Sequence, residues 1–311
     1  MTWLEAATRN PQPASDRLRS LIEQPEILEV PGAHNAFCGL IAKEEGFKAL
    51  YISGAAITTS MGLPDLGVLT IEELCFITRM VFRATDLPLI VDADTGYGEA
   101  LNAMRTTREL ELAGAAAVHI EDQVLPKKCG HLNDKRLITP HNAAEKIRAM
   151  KKAAKNLIII ARTDAASVEG IEGAIRRGNL YVEAGADMVF PDALPDAESF
   201  RTFAQSVPGP KMANMTEFGR TPHFTANEFQ TFGFDLVIWP ATSIRVAGKA
   251  IKNLYAHIKK FGGTAGLEKD MLTRSECYDL IRYHKYEGLD KSISTSVVPK
   301  TTASKSLDSN Q

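Results

Sequence analysis

Short apolar runs recur along the chain, at residues 27–30, 49–52, 87–93, 116–120, 157–161, 188–190, 211–214 and 236–239. Several are rich in Val and Ile, and none alternates cleanly with polar positions. A strand covered on both faces has this pattern, because neither side of it meets water. Between the runs, stretches at 101–113, 143–154, 172–184 and 198–205 space their apolar residues as helices do. Several helical stretches hand over to the next run through a glycine, at Glu45-Gly46, Ala113-Gly114 and Ala184-Gly185, where a left-handed helix cap needs one. Eight strands alternating with helices predict an α/β fold, a closed (β/α)8 TIM barrel built as a single domain over residues 1–311.

After the eighth run the pattern continues as a helix over about 244–260 and breaks at Phe261-Gly262-Gly263. It resumes as a helical extension over about 264–290. A barrel has no use for that extension, which is expected to pack elsewhere, such as on a neighbouring subunit. Residues 293–311, rich in Ser, Thr and Lys, read as a disordered tail.

Composition changes this picture little. With 311 residues, 44% hydrophobic and 24% charged, and a net charge of −2, the chain has ordinary globular make-up. The near-neutral balance supplies no broad field for a polyanion, which argues against nucleic acid or an anionic membrane as partner. No apolar run approaches the roughly 20 residues that span a bilayer. The N-terminal stretch lacks the apolar core of a signal peptide. Cys38, Cys75, Cys129 and Cys277 are widely spaced, with no CxxC pair, so a cytoplasmic location is expected.

Polar residues change it more. In barrel enzymes the chemistry sits at the C-terminal ends of the strands, and the polar groups here cluster there. The ends read Tyr51-Ile52-Ser53-Gly54-Ala55, Asp92-Ala93-Asp94, His119-Ile120-Glu121-Asp122, Arg162-Thr163-Asp164, Pro191-Asp192, Asn214-Met215-Thr216 and Thr242-Ser243, with Arg245 beyond. Asp92 and Asp94, two apart at a strand end, are expected to point the same way. With Glu121 and His119 one strand over they form an oxygen-rich group that suits Mg²⁺, or Mn²⁺, better than Zn²⁺. Taken singly, each carboxylate is equally suited to capping the next helix. Arg162 closes an apolar strand and must pair with a carboxylate, either of the protein or of a substrate. Asn214 and Thr216 offer neutral hydrogen bonds.

Lys127-Lys128-Cys129-Gly130-His131 lies in a loop over 124–138, long enough to act as a lid. A cysteine among lysines and a histidine is expected to have a lowered pKa and to take part in proton transfer, which makes Lys127, Cys129 and His131 catalytic candidates. The other three cysteines read as structural.

The string KKCGH, preceded by EDQ at 121–123 and VDADTGYG at 91–98, resembles the isocitrate lyase and phosphoenolpyruvate mutase superfamily. The strings SGAA, GLPDLG, ARTDA, ANMTEFG and TRSECYDLI extend the likeness over about 28–289. The Cys-bearing loop marks the carbon–carbon lyases of the superfamily. Without the large insertion of isocitrate lyases, the chain is most similar to the 2-methylisocitrate lyases, in particular those of bacilli. The resemblance implies a Mg²⁺-dependent cleavage of the tricarboxylate 2-methylisocitrate to pyruvate and succinate, a step of propionate breakdown through the methylcitrate cycle. It implies a homotetramer whose C-terminal helices are exchanged between subunits. It places Mg²⁺ on Asp92 and Asp94, with Glu121 and His119 reaching it through water. Substrate contacts then fall to Ser53, Gly54, Ala55, Gly130, Arg162, Asp192, Asn214, Thr216, Arg245 and Arg274. Cys129 becomes the general acid, Tyr51 the candidate base by position, and Phe190 and Ile238 neighbours of the substrate's extra methyl. Two positions depart from the pattern: Asp192 stands where relatives usually have Glu, and Lys128 where some have Arg. Related lyases of isocitrate, 2,3-dimethylmalate or oxaloacetate are the nearest alternatives, set apart by the bulk of Phe190, Ile238 and Ala241. A non-catalytic barrel that binds a metal and an anion is the alternative from another class.

Overall fold

A computed structural model describes residues 2–5 and 10–293, so residues 294–311 of the expected tail lie outside the described residues. Eight strands form the barrel: β1 (Leu28–Pro31), β2 (Leu50–Ile52), β3 (Leu89–Asp92), β4 (Ala117–Glu121), β5 (Ile158–Thr163), β6 (Met188–Pro191), β7 (Met212–Asn214) and β8 (Leu236–Trp239). All pairings are parallel. β2 to β6 make one continuous arc, and β1, β8 and β7 make a second. Single bridges at Gly32–Tyr51 and Val189–Lys211 join the two arcs into a closed wall.

Strand parity sorts the wall. Tyr51, Ile90, Ala117, Ile158, Ile160, Met188, Phe190, Met212, Leu236 and Ile238 pack together in the barrel interior. Their neighbours Leu50, Ile52, Leu89, Val91, Val118, Ile120, Ile159 and Ala161 face outward under the helices. Helix α1 (Ala14–Ile22) precedes β1, and its fully buried Leu18 joins the interior cluster, closing the end of the barrel opposite the strand tips.

Helices α2 (Ala36–Glu44), α3 (Gly54–Ser60), α4 (Ile71–Thr85), α5 (Ala100–Ala113), α6 (Pro140–Ala153), α7 (Ala166–Glu183), α8 (Ala197–Ser206) and α9 (Ala226–Thr231) follow the strands in turn. α4 starts at a reciprocal Thr70–Glu73 capping box. α7 begins earlier than the spacing predicts and kinks at Gly170. The three handover glycines do take left-handed φ, and at Gly114 a Cβ would also collide with the Phe82 ring 2.3 Å away. On the far side, Phe200, Phe224, Phe229, Phe232 and Phe234 pack edge to face over β7 and β8.

Helix α10 (Thr242–Phe261) has no buried residue. Its Val246, Ile251, Tyr255 and Ile258 are all exposed. The extension that follows is not one helix but two, α11 (Arg274–Leu280) and α12 (Tyr283–Ile293), broken at Arg282, whose φ is 57°. α11 packs against α2. No helix among the described residues is long and apolar enough to cross a membrane.

Candidate active site

The site is built by the same parity that fills the interior. Asp92 lies two positions after Ile90, His119 and Glu121 follow Ala117, Arg162 follows Ile160, Asp192 follows Phe190, and Asn214 follows Met212. Each therefore points inward at the strand tips. Asp94 arrives differently. β3 ends at Asp92, and Asp94 sits in a turn with φ 47°, its N–H donating to Asp92 Oδ1 at 3.1 Å. Strand alternation, the basis on which the two were expected to point together, does not apply to it.

Asp92 accepts a hydrogen bond from the Gly54 N–H at 3.2 Å and lies 3.5 Å from His119 Nε2. Ser53 caps α3 through the Ala56 N–H, and Ala55 is half-buried beside it. Lys127 reaches in from the loop, its Nζ 2.7 Å from Asp94 Oδ1 and also on Asp65. Burial opposes the lysine's charge, but Glu121, Asp94, Asp92 and Asp65 outweigh it and raise its pKa. Burial raises Asp94 to about 6, with Asp92 adding to the rise. For Asp92 burial also pushes up, but His119, Lys127 and Arg162 prevail and lower it. Burial holds Glu121 well above the usual carboxylate range. Burial also lowers His119 to about 4, leaving a neutral ring whose Nε2 shares a 2.5 Å hydrogen bond with the Tyr51 hydroxyl.

Arg162 resolves its pairing in favour of the protein. Its guanidinium meets Asp164 at 3.0 Å, Asp192 at 2.7 Å and Glu121 at 3.2 Å. Asp192 also receives the Asn214 amide at 3.0 Å and faces His131 Nε2 at 3.7 Å. Burial would raise the Asp192 pKa, yet Arg162, followed by His131, brings it well below the usual range.

The loop lies closed over this group. Its stem is zipped by the Gln123–Leu137 bridge and by the Val124 N–H on the Arg136 carbonyl. The Gln123 side chain holds the Lys128 backbone at both its N–H and its carbonyl. Lys135 donates to the Gly130 carbonyl. Gly130 is so close to the Arg162 group that a Cβ would stand 1.8 Å from Asp192 Oδ2 and 2.8 Å from an Arg162 nitrogen. Only glycine fits there.

The structure bears on two of the catalytic candidates through their protonation, and for Cys129 it reverses the expected direction. The Cys129 side chain reaches solvent, yet its pKa is raised: the loop atoms around it desolvate the thiolate, and the His131 N–H does not compensate. Tyr51 is also pushed well up, by burial first and then by Asp92. Its phenol stays protonated and suits a hydrogen-bonding role better than that of a base.

Other candidates lie further out. Thr216 accepts from Arg245 at 3.0 Å, and Arg245 also pairs with Glu217 at 2.7 Å, at the rim. Phe190 and Ile238 are fully buried in the interior layer, with Phe190 edge-on to His119, so they form the floor of the site. Arg274 is not brought in: it is exposed at the start of α11, with no hydrogen bond or ion pair to the site. The sequence reading had not singled out Asp65, Lys135 or Asp164 as site residues. Asp65 lies in the GLPDLG string and Asp164 in ARTDA, so the signal was present as motif. A separate cavity of about 430 Å³ lies between the ends of α2 and α4 and the C-terminal helices. Its Lys43 donates to the Thr85 carbonyl, and its Arg83 stacks over Trp3.

Whether these residues fit a divalent metal can be judged from their unmet valences. Both oxygens of Glu121, Asp94 Oδ1 and His119 Nδ1 are buried without a hydrogen bond of acceptable geometry. Carboxylates of Asp65, Asp92, Asp94, Glu121, Asp164 and Asp192 outnumber the charged groups of Lys127, Lys135 and Arg162. Hard oxygen donors with a deficit of positive charge fit Mg²⁺ or Mn²⁺. Among the described residues no three of His, Cys, Asp and Glu converge as direct ligands.

Comparison with known proteins finds relatives along most of the chain. The phosphoenolpyruvate phosphomutase family matches residues 18–259. A protein of Bacillus subtilis named 2-methylisocitrate lyase is 50% identical, over 96% of this chain and 99% of its own. A crystal structure of 2,3-dimethylmalate lyase superposes with a TM-score of 0.86 at 32% identity, covering 92% of this chain and 97% of that one. Phosphonopyruvate hydrolase, solved with oxalate and Mg²⁺, superposes with a TM-score of 0.81 at 26% identity, covering 91% and 99%. With its barrel, its strand-tip carboxylates and these relatives, the chain belongs to the phosphoenolpyruvate phosphomutase family.

Proposed function

We propose that this site cleaves 2-methylisocitrate to pyruvate and succinate. The observation that carries the reading is the closed KKCGH loop, with Cys129 at its surface and Gly130 against Arg162 and Asp192, in a chain half identical to a named 2-methylisocitrate lyase. Asp92 and Asp94 would hold Mg²⁺, with Glu121 and His119 behind them. Such an ion would polarise a 2-hydroxy carboxylate and ease transfer of its hydroxyl proton to a carboxylate of the site, for which Glu121 has both oxygens without a hydrogen bond.

The chain's own residues supply the rest. The Gly54 N–H and the Tyr51–His119 pair fix the carboxylate end of the site. With the ion on Asp92 and Asp94, Lys127 would be freed from Asp94 to bring positive charge to a tricarboxylate, while Arg162 stays paired with the protein's own carboxylates. The closed loop excludes water while the C2–C3 bond breaks and the electron pair passes to the departing succinate fragment. The raised thiol pKa keeps Cys129 protonated, as a donor to that fragment must be. The exposed apolar face of α10 and the placement of Arg274 outside the site support exchange of C-terminal helices in a homotetramer, and the widely spaced cysteines without a CxxC pair suit the cytoplasm.

The test is to incubate the protein with Mg²⁺ and either 2-methylisocitrate or isocitrate, following pyruvate and glyoxylate. Pyruvate should form at least about tenfold faster than glyoxylate. Cys129→Ser should lower the rate about a thousandfold, the usual scale for a lost general acid. Absence of pyruvate would remove the substrate assignment.

A further inference from the structure

We infer that Arg220 is the latch that positions the Cys129 loop over the site and turns the His131 ring so that Nε2 faces Asp192. The inference rests on the reading of that loop as the lid of a lyase, and it concerns a residue to which neither motif nor family likeness gave a role.

Arg220 lies in the loop between β7 and α9, whereas the stem of the lid follows β4. It grips the lid with three donors. Its backbone N–H donates to His131 Nδ1 at 3.0 Å, its Nε to the His131 carbonyl at 3.1 Å, and its terminal nitrogen to the Asn133 side chain. An exposed arginine usually gains little from a single surface contact. Three contacts from one residue to two lid residues, one of them a backbone group, are a different case. The base beneath is fixed as well: the buried Thr221 hydroxyl donates to the Leu194 carbonyl at 2.8 Å. Gly219 allows the approach, since a Cβ there would stand 2.7 Å from His131 Nδ1.

The contact also decides the tautomer. Nδ1 accepts the Arg220 N–H, so the proton of the neutral ring resides on Nε2. That nitrogen is buried, without a hydrogen bond, and lies 3.7 Å from Asp192 Oδ1. The latch therefore presents one N–H donor toward the site. Because Gly130 fills the space beside Arg162 and Asp192, a substrate enters only when the lid lifts, and the latch must break and re-form in each turnover.

The experiment compares the full chain with Arg220→Ala and Arg220→Lys, by hydrogen exchange of the 128–133 segment without substrate and by steady-state kinetics. In Arg220→Ala, exchange of that segment should rise about tenfold while β3 to β5 stay protected. kcat should fall about tenfold with KM changed less than about twofold, because the lid misplaces the donor rather than the bound acid. Both variants keep the backbone contact, and Arg220→Lys, which restores one charged side-chain donor, should recover part of both effects. Unchanged exchange in Arg220→Ala overturns the latch, as does a loosened segment with unaltered kcat in an active parent. If the parent cleaves no 2-methylisocitrate but exchange still rises in Arg220→Ala, the substrate reading falls and the latch stands.

Discussion

The arc from β2 to β6 and the arc of β7, β8 and β1 complete one wall, yet they are finished differently. Strands of the first end in Asp92, Glu121, Arg162 and Asp192, all buried, with α4 to α7 packed behind them. Strands of the second end in neutral residues. Glu29 of β1 is exposed, and α10, which follows β8, buries nothing. Charges taken out of water need fixed partners and a dry surround, and only the first arc has both. The second arc is covered by the phenylalanine cluster behind β7 and β8, but the helix that follows it, α10, carries exposed apolar residues. The catalytic wall is thus completed within the chain, while the helix beyond the other wall presents apolar residues at its surface.

Three substitutions sharpen or break this contrast. The largest effect is expected from Arg162→Met, which removes the shared partner of Asp164, Asp192 and Glu121. Leaving buried charge unpaired costs about 3–5 kcal/mol, so denaturant unfolding should shift by that much. A shift below about 1 kcal/mol would mean the first arc is not held by charge balance. Next comes Gly130→Ala, whose methyl would meet Asp192. Activity should drop about a hundredfold, as it does when a reacting group is displaced by an ångström, with the unfolding midpoint unmoved. Wild-type turnover would show that the lid need not seat against Asp192. The smallest effect is expected from Ile251→Asp on α10. It should reduce the molar mass seen by light scattering and cost about 2 kcal/mol of assembly stability, the worth of one buried aliphatic side chain. An unchanged mass would leave α10 without a covering partner.

Much of the first arc was legible in the sequence. The strand runs, the glycine caps and the inward parity of Asp92, Glu121 and Arg162 all follow from local pattern. Loops supplied what was not legible. Asp65, Lys135 and Arg220 reach the site from segments with no periodicity, and only the closed geometry shows which residues they touch. The misreadings differ in source: Cys129 was read by its charged neighbours in sequence and Tyr51 by position, whereas desolvation raises both. Arg274 was placed by likeness alone, and one chain cannot carry it to the site.

Helix α1, with Leu18 pressed into the interior layer, makes the barrel a blind-ended vessel. Whatever forms at the strand tips leaves by the same mouth its precursor entered. Two fragments born together must then queue, and the one lodged nearer the floor of Phe190 and Ile238 departs last. Product inhibition should therefore be unequal for the two fragments, with the deeper one binding the free protein and the shallower one only the loaded form.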